Sequence, residues 1–226
     1  MKAIPLLRRL EQHPVFTQND VAKIVNKGAP YVRTLLYRLA KAGLITRIER
    51  GKYTMHADPL IVASHMVTPS YLSLWTALRY YNLIEQQPLA LFVMTPAARR
   101  KVVFADTEIV FVKTRHLFGY RKVRHADLDI FMAEKEKAII DALLHRLPLD
   151  AISSALEGGE MDPRKLSDYA RRTGNAALIK RLGYLMEKKM GNPSGLEPPD
   201  RAYVLLDYHG KKEGKRDARW RLVVNT

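Results

Sequence analysis

The sequence predicts an α+β protein of two domains, a small basic domain at the N-terminus and a larger mixed domain after it. Residues 1–56 combine short amphipathic helices with one hairpin, whereas residues 57–226 mix helical and β-rich segments in no repeating order. The chain has 226 residues, of which 47% are hydrophobic. This length and composition are sufficient for a buried core and exclude a wholly disordered chain.

Positive charge is concentrated in the N-terminal part of the chain. The whole sequence has 38 Lys and Arg against 23 Asp and Glu, a formal net charge of +15. Residues 1–56 contain eleven of the basic residues and three of the acidic ones, so a quarter of the chain carries about half of the excess charge. Such clustering is typical of a compact nucleic-acid-binding module. The alternative is a basic surface that serves only solubility.

The composition also excludes several classes of protein. Because the chain has no Cys, it cannot be a disulfide scaffold, a Cys-rich zinc finger, an iron–sulfur protein or an enzyme with a thiol nucleophile. No segment approaches the roughly 20 consecutive apolar residues needed to cross a bilayer, and the N-terminus lacks a secretory pattern. We therefore expect a cytoplasmic protein that does not enter the membrane.

Three helices are predicted in the N-terminal domain. The first covers residues 4–12 and ends before Pro14. Thr17 is a good N-cap for the second helix, and Asp20 would place an acidic group near its N-terminus. Pro30 suits the start of the third helix. The apolar residues of this helix recur at the spacing of a buried face, at Val32, Leu35, Leu36 and Leu39.

A hairpin follows the third helix. Gly43 is expected to end that helix, and residues 44–48 and 52–55 have the composition of two strands around a tight turn. Three helices followed by a basic hairpin, in this order, predict a winged helix-turn-helix.

The winged helix predicts a DNA-binding surface. A helix can enter the major groove, while a hairpin can reach phosphates or the adjacent groove. Arg side chains match guanine edges, whereas Thr, Tyr and Lys more often contact phosphate or sugar. The candidate DNA-binding residues are Lys27, Arg33, Thr34, Tyr37, Arg38, Lys41, Arg47, Arg50 and Lys52. A winged helix used only for protein contacts is the alternative, for which so many outward cations would be less expected.

The larger domain is predicted to be a mixture of helices and strands. Predicted helices cover residues 59–66, 69–81, 133–145, 149–157, 163–173 and 175–190, and predicted strands cover 89–95, 102–104, 107–114, 202–206 and 220–224. A linker rich in Gly and Pro follows the last helix, at residues 191–199. The last two strands flank a basic loop at residues 209–219.

Few residues point to catalysis. Asp127 and Asp129 have the spacing of the carboxylates that hold Mg²⁺ in a nucleotidyltransferase, but the Gly-Ser turn of such enzymes is missing because Gly119 is followed by Tyr120. His125 beside these acids is more typical of a loop and a helix N-cap than of a metal site. Glu213 and Lys215 have a nuclease-like spacing, yet they fall in the basic loop. We therefore expect no catalytic residue, cofactor or metal.

Several segments of the chain, in the same order, give it a family resemblance. They are residues 51–53, 58–63, 71–78, 82–88, 107–114, 136–141 and 219–225. With them the sequence resembles AbiEi-type antitoxins, the transcriptional regulators of type IV toxin–antitoxin (abortive infection) systems. It departs from a typical member in the compact helical block 149–190.

The resemblance implies a specific function. The winged helix would bind inverted repeats of double-stranded DNA in the promoter of its own operon, with a homodimer on the DNA among the expected states. The domain at 57–226 would neutralise a nucleotidyltransferase toxin without requiring a stable complex, and the antitoxin itself would not be an enzyme. Two other classes remain open, a nucleotidyltransferase that uses Asp127 and Asp129 and a ligand-responsive regulator unrelated to toxins.

Overall fold

The computed structural model describes residues 3–225, which form two compact units. The first unit comprises the chain up to Leu72 together with residues 89–117 and 122–132. The second comprises residues 73–88, residues 118–121 and the chain from Ala133 onward. Each unit contains both helices and strands, which confirms the α+β class with an N-terminal winged helix. The boundary expected at residue 56 stays a prediction.

The first unit begins with the winged helix. Its elements are α1 (Ala3–Glu11), β1 (Phe16–Thr17), α2 (Gln18–Val25), α3 (Ala29–Lys41), β2 (Thr46–Glu49) and β3 (Lys52–Thr54). The three strands form an antiparallel sheet in the order β1-β3-β2. Strand β1 is absent from the sequence prediction, because two residues of strand carry no periodic signal. The three predicted helices and the hairpin are all present.

Apolar residues from all three helices form one core in the winged helix. The buried members are Leu6, Leu10, Phe16, Val21, Val32, Leu36, Leu39 and Ile45. The start of α2 is stabilised locally, since the Asp20 backbone N–H donates to Thr17 Oγ1 and the Thr17 N–H donates to Asp20 Oδ2. This capping box confirms the predicted N-cap and sets the boundary between β1 and α2.

A six-stranded mixed sheet follows the winged helix, together with the short helix α4 (Pro59–His65). The strands are β4 (Tyr71–Leu72), β5 (Ala90–Thr95), β6 (Val102–Phe104), β7 (Thr107–Lys113), β8 (Tyr120–His125) and β9 (Leu128–Ala133), in the order β6-β7-β5-β4-β9-β8. Strands β5 and β7 pair in parallel through six residues, and β6 pairs antiparallel with β7. The predictions for β5, β6 and β7 are confirmed to within a residue.

The helix predicted over residues 69–81 is wrong in its first half. Tyr71 and Leu72 form β4 in the middle of the sheet, and the helix α5 covers only Trp75–Tyr80. Leu74 has a positive φ of 55°, which separates the strand from the helix. A short apolar run does not distinguish a buried strand from a helix, and here pairing with β5 and β9 decides for the strand.

The hairpin formed by β8 and β9 is also missing from the sequence prediction. The sequence predicts a loop and a helix N-cap at residues 125–129, but Ala126 and Asp127 form the turn of a hairpin, whereas Asp129 is the second residue of β9. The outward residues of β8 are basic, as expected of a strand at the edge of a sheet. Because β8 is so polar, its sequence lacks the alternation of apolar and polar residues that would predict a strand.

The second unit is built mainly from helices that the sequence predicts. After α5 come α6 (Lys135–Leu144), α7 (Leu149–Gly158), α8 (Pro163–Thr173) and α9 (Ala176–Met190). A small sheet closes the chain, with β10 (Val204–Leu205), β11 (Lys215–Asp217) and β12 (Leu222–Val224) in the order β10-β12-β11. The basic loop predicted at 209–219 therefore contains a strand, which pairs antiparallel with β12.

A fully buried polar cluster lies in the second unit. Ser73 Oγ donates to Asp141 Oδ2 at 2.8 Å, and the ammonium of Lys137 donates to the other oxygen of the same carboxylate. All three residues are buried. Burial lowers the pKa of Lys137, and the neighbouring Asp141 opposes that shift. The cluster is consistent with the rule that buried charges occur in pairs.

Close packing in the second unit generates a prediction at Gly183 of α9. A Cβ at this position would lie 2.0 Å from Cζ3 of Trp220, whose ring is buried and whose Nε1 donates to Glu187. We expect Gly183→Ala to lower the free energy of unfolding by about 1–3 kcal/mol, measured by chemical denaturation. Gly158→Ala is the control, because a Cβ there meets nothing within 4 Å. Equal stability of the two variants would contradict this packing.

Candidate nucleic-acid interface

The helix α3 presents a polar face opposite its buried stripe. Val32, Leu36 and Leu39 are buried against the core of the winged helix. Leu35 packs partly against the same core. The candidate residues on the rest of the helix are exposed, and they are Arg33, Thr34, Tyr37, Arg38 and Lys41. The structure thus brings together on one helix five of the residues predicted to contact DNA.

One of these exposed side chains is aromatic. Tyr37 has 67% of its surface exposed, an unusual position for a side chain of this size. The Thr34 hydroxyl donates to the Pro30 carbonyl at 3.2 Å and keeps its lone pairs for another donor. Lys27, in the turn before α3, is exposed as well. The face therefore offers cations, a hydroxyl and an aromatic ring to one partner.

The wing is the hairpin of β2 and β3. Its turn consists of Arg50 and Gly51, between the paired residues Glu49 and Lys52. Gly51 has a φ of 79°, which a residue without Cβ adopts at little cost. Arg50 is exposed at the tip, and Arg47 is exposed on β2, where its Nε donates to the Glu49 carbonyl at 3.2 Å.

Lys52 differs from the other candidate residues. It is half-buried, and its ammonium donates to the Met66 carbonyl and lies 3.3 Å from Glu49 Oε1. The structure therefore places the charge of Lys52 against the protein, whereas Arg47 and Arg50 point to solvent. Its contact with DNA stays a prediction, and its two internal partners give it a structural role.

Glu49 is the acidic centre of this region. Its carboxylate accepts from the guanidinium of Arg99, a residue of the loop between β5 and β6, and pairs with Lys52. Burial by itself would raise the pKa of Glu49, but the hydrogen bonds and charges of Arg99 and Lys52 outweigh it and lower the pKa. Glu49 therefore remains ionised, as a bridge between the two basic residues.

Sequence reasoning missed the role of Arg99. The only signal was three consecutive basic residues, Arg99 to Lys101, between two predicted strands. Glu49 and Arg99 are fifty positions apart in the chain, and no local pattern reports a contact of that separation.

The alternative catalytic residues are distributed over the surface. Asp129 is exposed and lies 3.6 Å from Arg124, and Asp127 is exposed in the turn between β8 and β9. His125 Nε2 lies 2.7 Å from Asp58 Oδ2, the carboxylate that also caps α4 through its other oxygen. Within residues 3–225, no group of three or more His, Asp and Glu could hold a metal ion. Glu213 and Lys215 are exposed near β11.

Comparison with known families gives a match for the winged helix. A family model described as the AbiEi antitoxin transcriptional regulator matches residues 5–56. The N-terminal segment is thus similar to AbiEi antitoxin regulators. The match spans the winged helix from α1 to β3 and leaves the rest of the chain outside it. It confirms the resemblance seen in the sequence for this part of the chain.

The segment that matches the AbiEi family includes α3 and its exposed face. A winged helix of an antitoxin transcriptional regulator is a DNA-binding, transcription-regulating module. No curated protein is similar enough to the whole chain to count as a match. Among the described residues, no helix is both long and apolar enough to cross a bilayer.

The different surroundings of Lys52 and Arg50 predict different effects on stability. Lys52→Ala removes two internal contacts, and we expect it to lower the free energy of unfolding by about 1 kcal/mol. Arg50→Ala removes the same charge from an exposed tip and should leave stability within about 0.5 kcal/mol of wild type. Thermal denaturation of both variants checks this. Equal losses would show that the ammonium of Lys52 is not held as described.

Proposed function

We propose that this protein represses its own operon and acts as the antitoxin of a type IV toxin–antitoxin system. Its winged helix binds inverted repeats in the promoter, and the region at 57–226 neutralises a nucleotidyltransferase toxin without catalysis of its own. The main support is the AbiEi family match over residues 5–56, within which α3 carries an exposed basic face.

Recognition begins with α3 in the major groove. Arg33 and Arg38 lie five positions apart on the exposed face, and a guanidinium can donate two parallel hydrogen bonds to the O6 and N7 atoms of guanine. Thr34, Tyr37 and Lys41 bind phosphate or sugar and hold the helix in register. Lys27, before the helix, adds a further cation near the backbone of the DNA.

The wing contributes mainly to affinity. Arg47 and Arg50 are exposed and reach phosphates beside the groove that α3 occupies. Contacts with phosphate release condensed counterions, so they strengthen binding to any sequence and weaken as salt is added. Lys52 contributes less to this effect, because its ammonium already has a carbonyl and a carboxylate as partners.

Inverted repeats imply two copies of the winged helix on one operator. Two copies related by a twofold axis place their α3 helices in major grooves about one helical turn, or a multiple of it, apart. A homodimer on DNA is therefore the state that we propose for repression. Neutralisation of the toxin is a separate activity, which we assign to the region outside the winged helix, in the cytoplasm.

Arg33 and Arg38 give a direct test of recognition. We expect Arg33→Ala or Arg38→Ala to cost about 1–3 kcal/mol of specific binding to a duplex of its own promoter region, measured by fluorescence anisotropy at moderate salt. Arg33→Lys and Arg38→Lys are the matched controls, since Lys keeps the charge but lacks the bidentate fork. Unchanged promoter affinity in both folded Ala variants would exclude this assignment.

Growth assays separate the antitoxin from an enzyme. When the neighbouring toxin gene is co-expressed from an independent promoter, we expect the Arg33→Ala variant to rescue growth as wild type does. The double variant Asp127→Asn, Asp129→Asn should also rescue growth and repress the promoter, because neither carboxylate takes part in catalysis. Loss of rescue in this folded double variant, together with Mg²⁺-dependent nucleotide transfer by the wild-type protein, would favour a nucleotidyltransferase instead.

A further inference from the structure

The wing is attached to the rest of the first unit at two points near its turn. At one point the ammonium of Lys52 donates to the carbonyl of Met66, the residue that follows α4. At the other, the carboxylate of Glu49 accepts from the guanidinium of Arg99. We call these four residues the wing clasp. Three of its members lie within residues 49–66, and Arg99 comes from the loop between β5 and β6.

Arg99 is itself held in place. Its guanidinium lies 4.9 Å from the centre of the Phe111 ring, and Phe111 belongs to the well-paired strand β7. The Nε atom of Arg99 is buried and makes no hydrogen bond within the described chain. Two other contacts offset the cost of this unpaired N–H, the stacking of the guanidinium on Phe111 and its hydrogen bond to Glu49.

The clasp acts on the part of the wing that faces solvent. Glu49 and Lys52 are the pair that flanks the turn, so fixing both residues fixes the direction in which Arg50 projects. A short hairpin is only marginally ordered without additional packing. Order that exists before binding lowers the entropy that binding must lose.

We propose that Arg99 is a positioning residue for DNA recognition, which aligns the wing through Glu49 without contacting DNA. The inference rests on the proposed DNA-binding function and adds to it a residue outside the segment that matches the AbiEi family. Its rivals are an Arg99 that binds phosphate directly and a surface ion pair without consequence. The hydrogen bond of Arg99 to the Glu49 carboxylate argues against direct phosphate binding. Because Arg99 contacts both Phe111 and Glu49, it also differs from an isolated surface ion pair.

The test compares Arg99→Ala with Lys101→Ala. Lys101 lies on the same loop and is largely exposed, paired with Glu108 at 2.6 Å, so its substitution removes the same charge without touching the wing. Binding to a duplex of the promoter region is measured over a range of salt concentrations. We expect Arg99→Ala to weaken binding about three- to tenfold. Lys101→Ala should change binding by less than about twofold.

The salt dependence distinguishes positioning from direct contact. Arg50→Ala should reduce the slope of log affinity against log salt by about one, because a phosphate contact is lost. Arg99→Ala should leave this slope unchanged, since Arg99 releases no counterion from DNA. A reduced slope in Arg99→Ala would overturn the proposal in favour of a phosphate contact.

A double variant tests whether Arg99 acts through Glu49. Glu49→Ala alone should weaken binding as Arg99→Ala does, and the combination of both should be no weaker than either variant alone. Additive losses would overturn the proposal. If Arg99→Ala melts at a much lower temperature than wild type, Arg99→Met replaces it, because Met keeps the contact with Phe111 but cannot pair with Glu49.

Hydrogen exchange of the free protein provides a measurement that does not depend on DNA. Amides of residues 47–54 should exchange faster in Arg99→Ala than in wild type, and at the wild-type rate in Lys101→Ala. Unchanged exchange in Arg99→Ala would overturn the proposal even if DNA binding is confirmed. If the wild-type protein fails to bind the promoter duplex while the exchange difference appears, the proposed function fails and the alignment of the wing by Arg99 stands.

Discussion

The burial of one apolar stripe of α3 is the constraint on which the candidate interface depends. Because Val32, Leu36 and Leu39 pack into the core formed with α1 and α2, the orientation of α3 about its own axis is set. A helix that buries one face must present the opposite face, and here that face carries Arg33 and Arg38. Hydrophobic packing therefore decides which charged side chains of α3 are exposed.

The wing depends on a different kind of interaction. Strand β3 pairs with β1 and Tyr53 packs against the core. Near the turn, ionic and polar contacts connect Glu49 and Lys52 with residues beyond the winged helix. The AbiEi match ends at residue 56, so Met66 and Arg99 lie outside the matched segment. Residues of the first unit outside the winged helix thus contact the wing and help to fix its position.

The second unit is held together by contacts that leave little freedom to its core. Trp220 packs directly on Gly183, and the cluster of Ser73, Lys137 and Asp141 is buried with each charge paired.

The sequence by itself determined most of the helices, the N-caps of α2, α4 and α8, and the exposed face of α3. Thr17, Asp58 and Asp162 cap helices within three residues of themselves, and periodicity along one helix decides which residues are buried, so both signals are local. Only the tertiary structure decided that Tyr71 and Leu72 form a strand, that β8 and β9 pair, and that Lys52 turns inward to Met66 while Arg99 holds Glu49. Each of these features depends on contacts between residues that are far apart in the chain. The sequence pattern around one residue does not show which distant residue it will contact.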